Sequence, residues 1–159
     1  MSEGLNGNQD SRPGGELPGR SDPQGDPHAW YQRGLELLSR GSPAAAAQIL
    51  QRAAAAEPRS RSVREALARA QFDARRYAEA AANFRLIVEA SPTDDYAHFG
   101  LGLALARSGD PASAAEYLAL AVAMRPDSKH YANALLAVRA RLQSRSGESG
   151  AAGDAGEDD

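Results

Sequence analysis

Three prolines, Pro58, Pro92 and Pro126, stand 34 residues apart twice over, and nothing else in the chain limits its fold so sharply. Self-similarity at a fixed period of roughly 20–50 residues marks an array of stacked supersecondary units, because one such unit cannot bury its apolar face alone. With each proline at position 32, the units run 27–60, 61–94 and 95–128. Small residues then fall into register: Gly34, Ala68 and Gly102 at position 8, and Ala46, Ala80 and Ala114 at position 20. Leu50, Phe84 and Leu118 share position 24, while Ala53, Ile87 and Ala121 share position 27. Each unit reads as two helices of about thirteen residues, on apolar stripes of helical period. Positions 8 and 20 are expected where the two helices cross.

The breaks between these stretches carry turn chemistry. Gly41-Ser42-Pro43 and Gly109-Asp110-Pro111 supply a helix-ending glycine, an N-cap and a proline at the first helical position. Asp26, Ser60, Asp94 and Ser128 are the expected N-caps of the first helix of each unit and of the helix after the third. The period-marking prolines end the second helices, since proline lacks a donor and disfavours helical geometry in the residue before it.

Composition divides the 159 residues. Residues 1–26 are rich in glycine and proline, with five acids against two arginines; residues 144–159 have five acids against one arginine. Neither segment has the apolar surface to offset ordering entropy, so both are expected to be disordered. The middle, 27–143, holds fifteen basic and eleven acidic residues, net +4, and nearly all the large apolar side chains. The 34 alanines, about a fifth of the chain, favour helix. There is no cysteine, which excludes disulfides, thiol nucleophiles and cysteine-ligated metals. No apolar run approaches the roughly 20 residues of a membrane span, and the N-terminus lacks signal-peptide regions. The expected location is the cytoplasm.

This pattern resembles the tetratricopeptide repeat (TPR) family, through Trp30, Gly34, Leu37, Ala46, Leu50, Ala53 and Pro58 in the first unit and the shared register of the others. The resemblance spans 27–128 in three repeats, with 129–143 as a capping helix bearing Tyr131, Leu135, Val138 and Leu142. It implies an all-α fold, a right-handed solenoid of helical hairpins with about seven helices. Arg33, Arg64, Gln71 and His98 depart from the pattern, and Arg75 stands where the turn glycine usually sits. These are expected to weaken single contacts and leave the register intact.

The resemblance also implies a concave groove lined by positions 2, 5, 9, 12 and 13 of each first helix. Those positions hold His28, Tyr31, Leu35, Leu38 and Ser39, then Ser62, Glu65, Arg69, Phe72 and Asp73, then Tyr96, Phe99, Leu103, Ala106 and Arg107. His130, Asn133 and Ala137 extend the set onto the last helix. Candidate partner-binding residues are Tyr31, Leu35, Arg69, Phe72, Tyr96, Phe99, Leu103 and Arg107: an aromatic, apolar floor beside two arginines, as in protein-binding hot spots. The competing reading is that several of them simply complete the core.

The expected function is therefore a non-catalytic adaptor that holds a partner peptide or amphipathic helix. In chaperone-binding TPR domains a carboxylate clamp of Lys, Asn and Arg occupies positions that here hold Tyr31, Leu35, Ala66, Tyr96 and Gly100. This argues against heat-shock-chaperone C-terminal tails as ligands. Arg59, Arg61 and Arg64 at the first junction and Arg75-Arg76 at a turn leave nucleic acid as an alternative, opposed by the chain's net charge of −3. Self-association is a second alternative. His28, His98 and His130 come from different units with no second histidine one turn away, so no metal is expected. Gly100-Leu101-Gly102 lies within a helical pattern and not after a strand, so it is not read as a phosphate loop. No catalytic constellation and no cofactor are implied.

Overall fold

The computed structural model describes residues 25–151. Seven helices follow in order: α1 (Pro27–Ser39), α2 (Pro43–Ala56), α3 (Arg61–Asp73), α4 (Tyr77–Ala90), α5 (Asp95–Arg107), α6 (Pro111–Met124) and α7 (Lys129–Ala151). Each helix packs on the next, and α1, α3, α5 and α7 also touch in succession as one layer. The protein is an all-α solenoid of three hairpins and a final helix. None of these helices is long and apolar enough to cross a membrane.

The caps explain where the helices begin. The carboxyl of Asp26 accepts from the His28 amide at 3.0 Å, Ser60 Oγ from Val63 at 3.3 Å, Asp94 from Ala97 at 3.1 Å and Ser128 Oγ from Tyr131 at 3.3 Å. Asp110 caps α6 through the Ser113 amide at 3.1 Å, and hydrogen bonds from Ser113 hold its carboxyl below the usual range. Ser42, expected to act likewise, makes no side-chain cap bond; Pro43 alone marks the start of α2.

Burial is split among three cores, between α1 and α3, α3 and α5, and α5 and α7, as expected of a quasi-one-dimensional array. Within a hairpin the small residue at position 8 faces position 24 and not chiefly position 20. A Cβ built on Gly34 would collide with Leu50, and one on Gly102 would lie 2.6 Å from Leu118 Cγ and 3.2 Å from the Ala114 carbonyl oxygen. In the second unit the pair is Ala68 and the flat ring of Phe84.

Gly102→Ala tests this closeness, because two effects oppose. Helix propensity favours alanine by about 1 kcal/mol, whereas overpacking a site that includes immobile backbone costs ~1–3 kcal/mol. We expect a net loss, read as a lower denaturant midpoint. Gly147→Ala, with nothing within 4 Å of its Cβ, is expected to raise helicity and not lower stability.

Two of the departures from the repeat pattern, Gln71 and Arg64, share Asn83 as a partner. Gln71, buried between helices, accepts through Oε1 from Asn83 Nδ2 at 2.7 Å; Asn83 Oδ1 accepts from Arg64 Nη1 at 2.9 Å; and Arg64 Nη2 reaches the Pro58 carbonyl at 2.9 Å. A polar chain thus replaces the usual apolar contact, so the expected weakening of contacts at Gln71 and Arg64 is offset by hydrogen bonds. His98 is also buried, its Nδ1 2.8 Å from the Asp94 carbonyl oxygen. Arg33 pairs with Glu36 at 2.9 Å on the surface.

Arg75 adopts φ +62°, matching Gly41 at +74° and Gly109 at +93° in the other two turns. A left-handed conformation costs a residue with a Cβ roughly 1–2 kcal/mol. Arg75→Gly is accordingly expected to stabilise the protein by about 1 kcal/mol, partly offset by chain entropy in the unfolded state. Urea midpoints of the two proteins check this.

The folded part does not stop at 143. Helix α7 continues to Ala151, although nothing after Leu142 packs against the body. Once docked turns have nucleated a helix, each further residue costs little, so exposed serines and glycines extend it. Ser144 Oγ and Ser146 Oγ donate back to Ala140 and Leu142 carbonyls, both at 3.1 Å. The disorder expected of 1–24 and of 152–159 lies outside the described residues.

Candidate functional site

Helices α3 and α5 run side by side, and their facing residues bound a pocket of about 210 Å³. Arg69, Phe72 and Asp73 line it from α3; Tyr96, Phe99, Gly100 and Leu103 line it from α5; Phe84 of α4 lies between. Five of the eight candidate residues, Arg69, Phe72, Tyr96, Phe99 and Leu103, therefore meet at one place. Gly100 exists to let Phe84 in: a Cβ there would fall 2.5 Å from the ring. Tyr96 stands edge-on to Phe84 with centroids 6.2 Å apart, and burial pushes its hydroxyl above the usual range against the opposing charge of Arg69.

Arg107 lies outside this lining. Its guanidinium carbon is 6.0 Å from the Phe72 ring centre and 5.8 Å from that of Tyr77, and its Nη1 donates to the Tyr77 hydroxyl at 3.4 Å. Phe72 and Tyr77 themselves meet edge to face at 5.1 Å, so the cation rests on an aromatic shelf. Arg69 has no ion pair or hydrogen bond among the described residues.

Phe99 has a second role. It is only 6% exposed and stacks on Tyr131 of α7 at 4.6 Å and 23°, with His130 5.1 Å away. Beside it the Tyr131 hydroxyl donates to Asp95 at 2.7 Å; burial first, then this bond, pushes that phenol well up. Arg125 approaches the same carboxylate at 3.4 Å. Tyr31 and Leu35 are not part of the pocket. They are half-buried against the first core with Leu37 and Leu38, which is the core-completing alternative.

Phe84, Gly100 and Tyr77 were not among the sequence candidates. Phe84 occupies a core position in the register, and nothing in the sequence separates a core ring from one that is also the floor of a pocket. The available signal was Gly100, a second small residue two positions before the register glycine and opposite the one aromatic at position 24.

Two of the five arginines that suggested nucleic acid are engaged within the fold. Arg61 Nε donates to Asp94 at 2.6 Å and its Nη2 approaches Glu65 at 3.6 Å, while Arg64 is held by Pro58 and Asn83. Among the described residues no group of three or more histidines, cysteines or carboxylates could hold a metal.

Comparison with known proteins follows the same lines. No curated protein matches the chain by sequence. Among solved structures, MamA (residues 41–end) from Desulfovibrio magneticus RS-1 superposes with a TM-score of 0.72 at 22% identity, covering 76% of this chain and 70% of that one. The first TPR domain of Spaghetti (RPAP3), bound to the HSP90 peptide SRMEEVD, gives 0.69 at 17% identity over 74% of this chain and 93% of that one. YrrB, a TPR protein with an unusual peptide-binding site, gives 0.65 at 23% over 69% and 56%. At these identities the likeness is one of fold. Models of the tetratricopeptide repeat match residues 31–95 and 71–142, overlapping from the end of α3 to the start of α5. Caps, register, hairpin packing and family models agree, and the chain belongs to the tetratricopeptide repeat family.

Proposed function

We propose that this protein is a non-catalytic, cytoplasmic adaptor that holds a segment of a partner protein on the face formed by α1, α3 and α5. The observation that carries the reading is the convergence of Arg69, Phe72, Tyr96, Phe99 and Leu103 on one pocket. Rings set beside an accessible arginine have the composition of interface hot spots. The neighbouring structures support it in kind, since the RPAP3 domain holds a chaperone peptide and YrrB is described by its peptide-binding site.

The expectation against chaperone tails rests on Tyr31, Leu35, Ala66, Tyr96 and Gly100 at the clamp positions. The RPAP3 neighbour gives that exclusion no support, so an acidic chaperone C-terminal peptide belongs among the ligands tested. Nucleic acid is the weaker alternative, because Arg61 and Arg64 are already bonded within the fold.

The test is affinity capture from native cytosol by wild type and by an Arg69→Glu, Leu103→Glu variant shown by circular dichroism to stay helical. Loss of a central anchor weakens binding roughly 30-fold, or ~2 kcal/mol, so a true partner should disappear from the variant's eluate. Equal enrichment by both proteins would overturn the reading. Retention that is nuclease-sensitive and falls steeply with salt would favour nucleic acid.

A further inference from the structure

The geometry points to a one-anchor mode of recognition: the pocket between α3 and α5 takes a single aromatic side chain from an acidic partner segment, whose carboxylate is drawn to Arg69. This rests on the reading that the α1–α3–α5 face is the binding face, and it names the chemistry of the ligand.

Size comes first. An apolar cavity of about 150 Å³ is enough to hold benzene, and this one measures about 210 Å³, room for one ring and not for two. The walls come next. Phe72, Phe84, Tyr96 and Phe99 are four rings around one space, and aromatic pairs gain from offset or edge-to-face contact beyond their buried area. Gly100 lets the Phe84 ring close against α5, so that this ring forms the floor of the space.

Charge then selects the neighbours of the anchor. Arg69 is exposed and free of partners among the described residues, whereas Arg61, on the same helix, is tied to Asp94. Beyond Phe72, Arg107 is held on its aromatic shelf, and residues 27–143 carry net +4. Arg69 is thus the cation that lines the apolar hole, while Glu65, Asp73 and Asp94 act on Tyr96 with the opposite charge. Asp73, one turn after Arg69, also lines the pocket and disfavours a carboxylate on its own side. The ligand therefore has a direction as well as a composition.

Two small probes, acetyl-Glu-Phe-amide and acetyl-Phe-Glu-amide, test this on the ¹⁵N-labelled full chain by NMR titration. Their Gln-for-Glu and Ala-for-Phe counterparts serve as controls. One order of the two should shift the backbone amides of Gly100 and Leu103 saturably and bind about threefold more tightly than its Gln form, the scale of an exposed ion pair. In Arg69→Gln that preference should vanish while ring binding remains. Shifts centred elsewhere, equal binding of the Ala form, or a Glu preference that survives Arg69→Gln would each overturn the inference. The two readings fail separately. A partner lost from the Arg69→Glu, Leu103→Glu variant while these peptides show no preference would leave the adaptor standing and remove the anchor rule. Peptides that seat as described, with no partner dependent on those residues, would do the reverse.

Discussion

Phe84→Ala is expected to destabilise the protein by ~3–5 kcal/mol, the usual cost of deleting a ring from a packed core. That approaches the whole stability of a small domain, on the order of 5–15 kcal/mol. The ring is 2% exposed, within the core shared by α3, α4 and α5, and it touches Gly100 and Tyr96 directly. Three cores in series mean that the damage is local: the second and third hairpins lose their common filling while the first keeps its own. Denaturation of the variant should therefore be broader than wild type as well as earlier, because a broken array no longer melts as one unit. Leu86→Ala is the control, two residues along the same helix but 47% exposed, and should move the midpoint by no more than about 0.5 kcal/mol. Similar losses from the two variants would mean that the central core is not where the packing places it.

Phe99→Glu should be nearly as costly, for a different reason. Phe99 was a sequence candidate for partner contact, yet its ring is buried in a stack with Tyr131 and His130. A carboxylate there loses the stack, worth ~0.5–1.5 kcal/mol beyond area, and must be desolvated one turn from the like charge of Asp95, which already accepts from Tyr131. A loss of at least ~3 kcal/mol follows. Its expression is release of α7. Hydrogen-exchange protection of the Tyr131–Val138 amides should fall by about two orders of magnitude, while protection in α1 and α2 stays near wild type. Phe99→Leu should keep most of it. Protection unchanged in α7 would show that the last helix is held chiefly by the Tyr131–Asp95–Arg125 contacts and not by the stack. In either case Phe99 is a poor probe of ligand binding, and the accessible Arg69 and Leu103 are the better ones.

The repeat register carried most of the architecture because its signals are local and reinforce one another: a proline that stops, a cap that starts, and a small residue where backbones approach. Six of the seven helices begin at a cap or a first-turn proline; α4, which follows Arg76 with neither, comes from the register alone. What the register did not carry was compensation between distant positions. Gln71 and Arg64 read as defects, and only their common partner Asn83 makes them a network. Arg75 in a glycine's conformation was likewise visible as an anomaly but not as a strained backbone. At the site, the groove positions of α3 and α5 brought together six side chains at one pocket. The same positions in α1 gave Tyr31 and Leu35, which pack half-buried against the first core and not at the pocket. Phe84 and Gly100 stayed hidden, since a pocket floor is a property of two repeats meeting and not of either one.

The run of α7 past Leu142 acts as a strut. Nine residues at ~1.5 Å each carry the chain about 13 Å beyond the last packed side chain before Ala151 is reached. Those nine residues are exposed and helical, so the described chain ends clear of the packed body. The helix works as a spacer, setting whatever follows Ala151 a fixed distance from the third core.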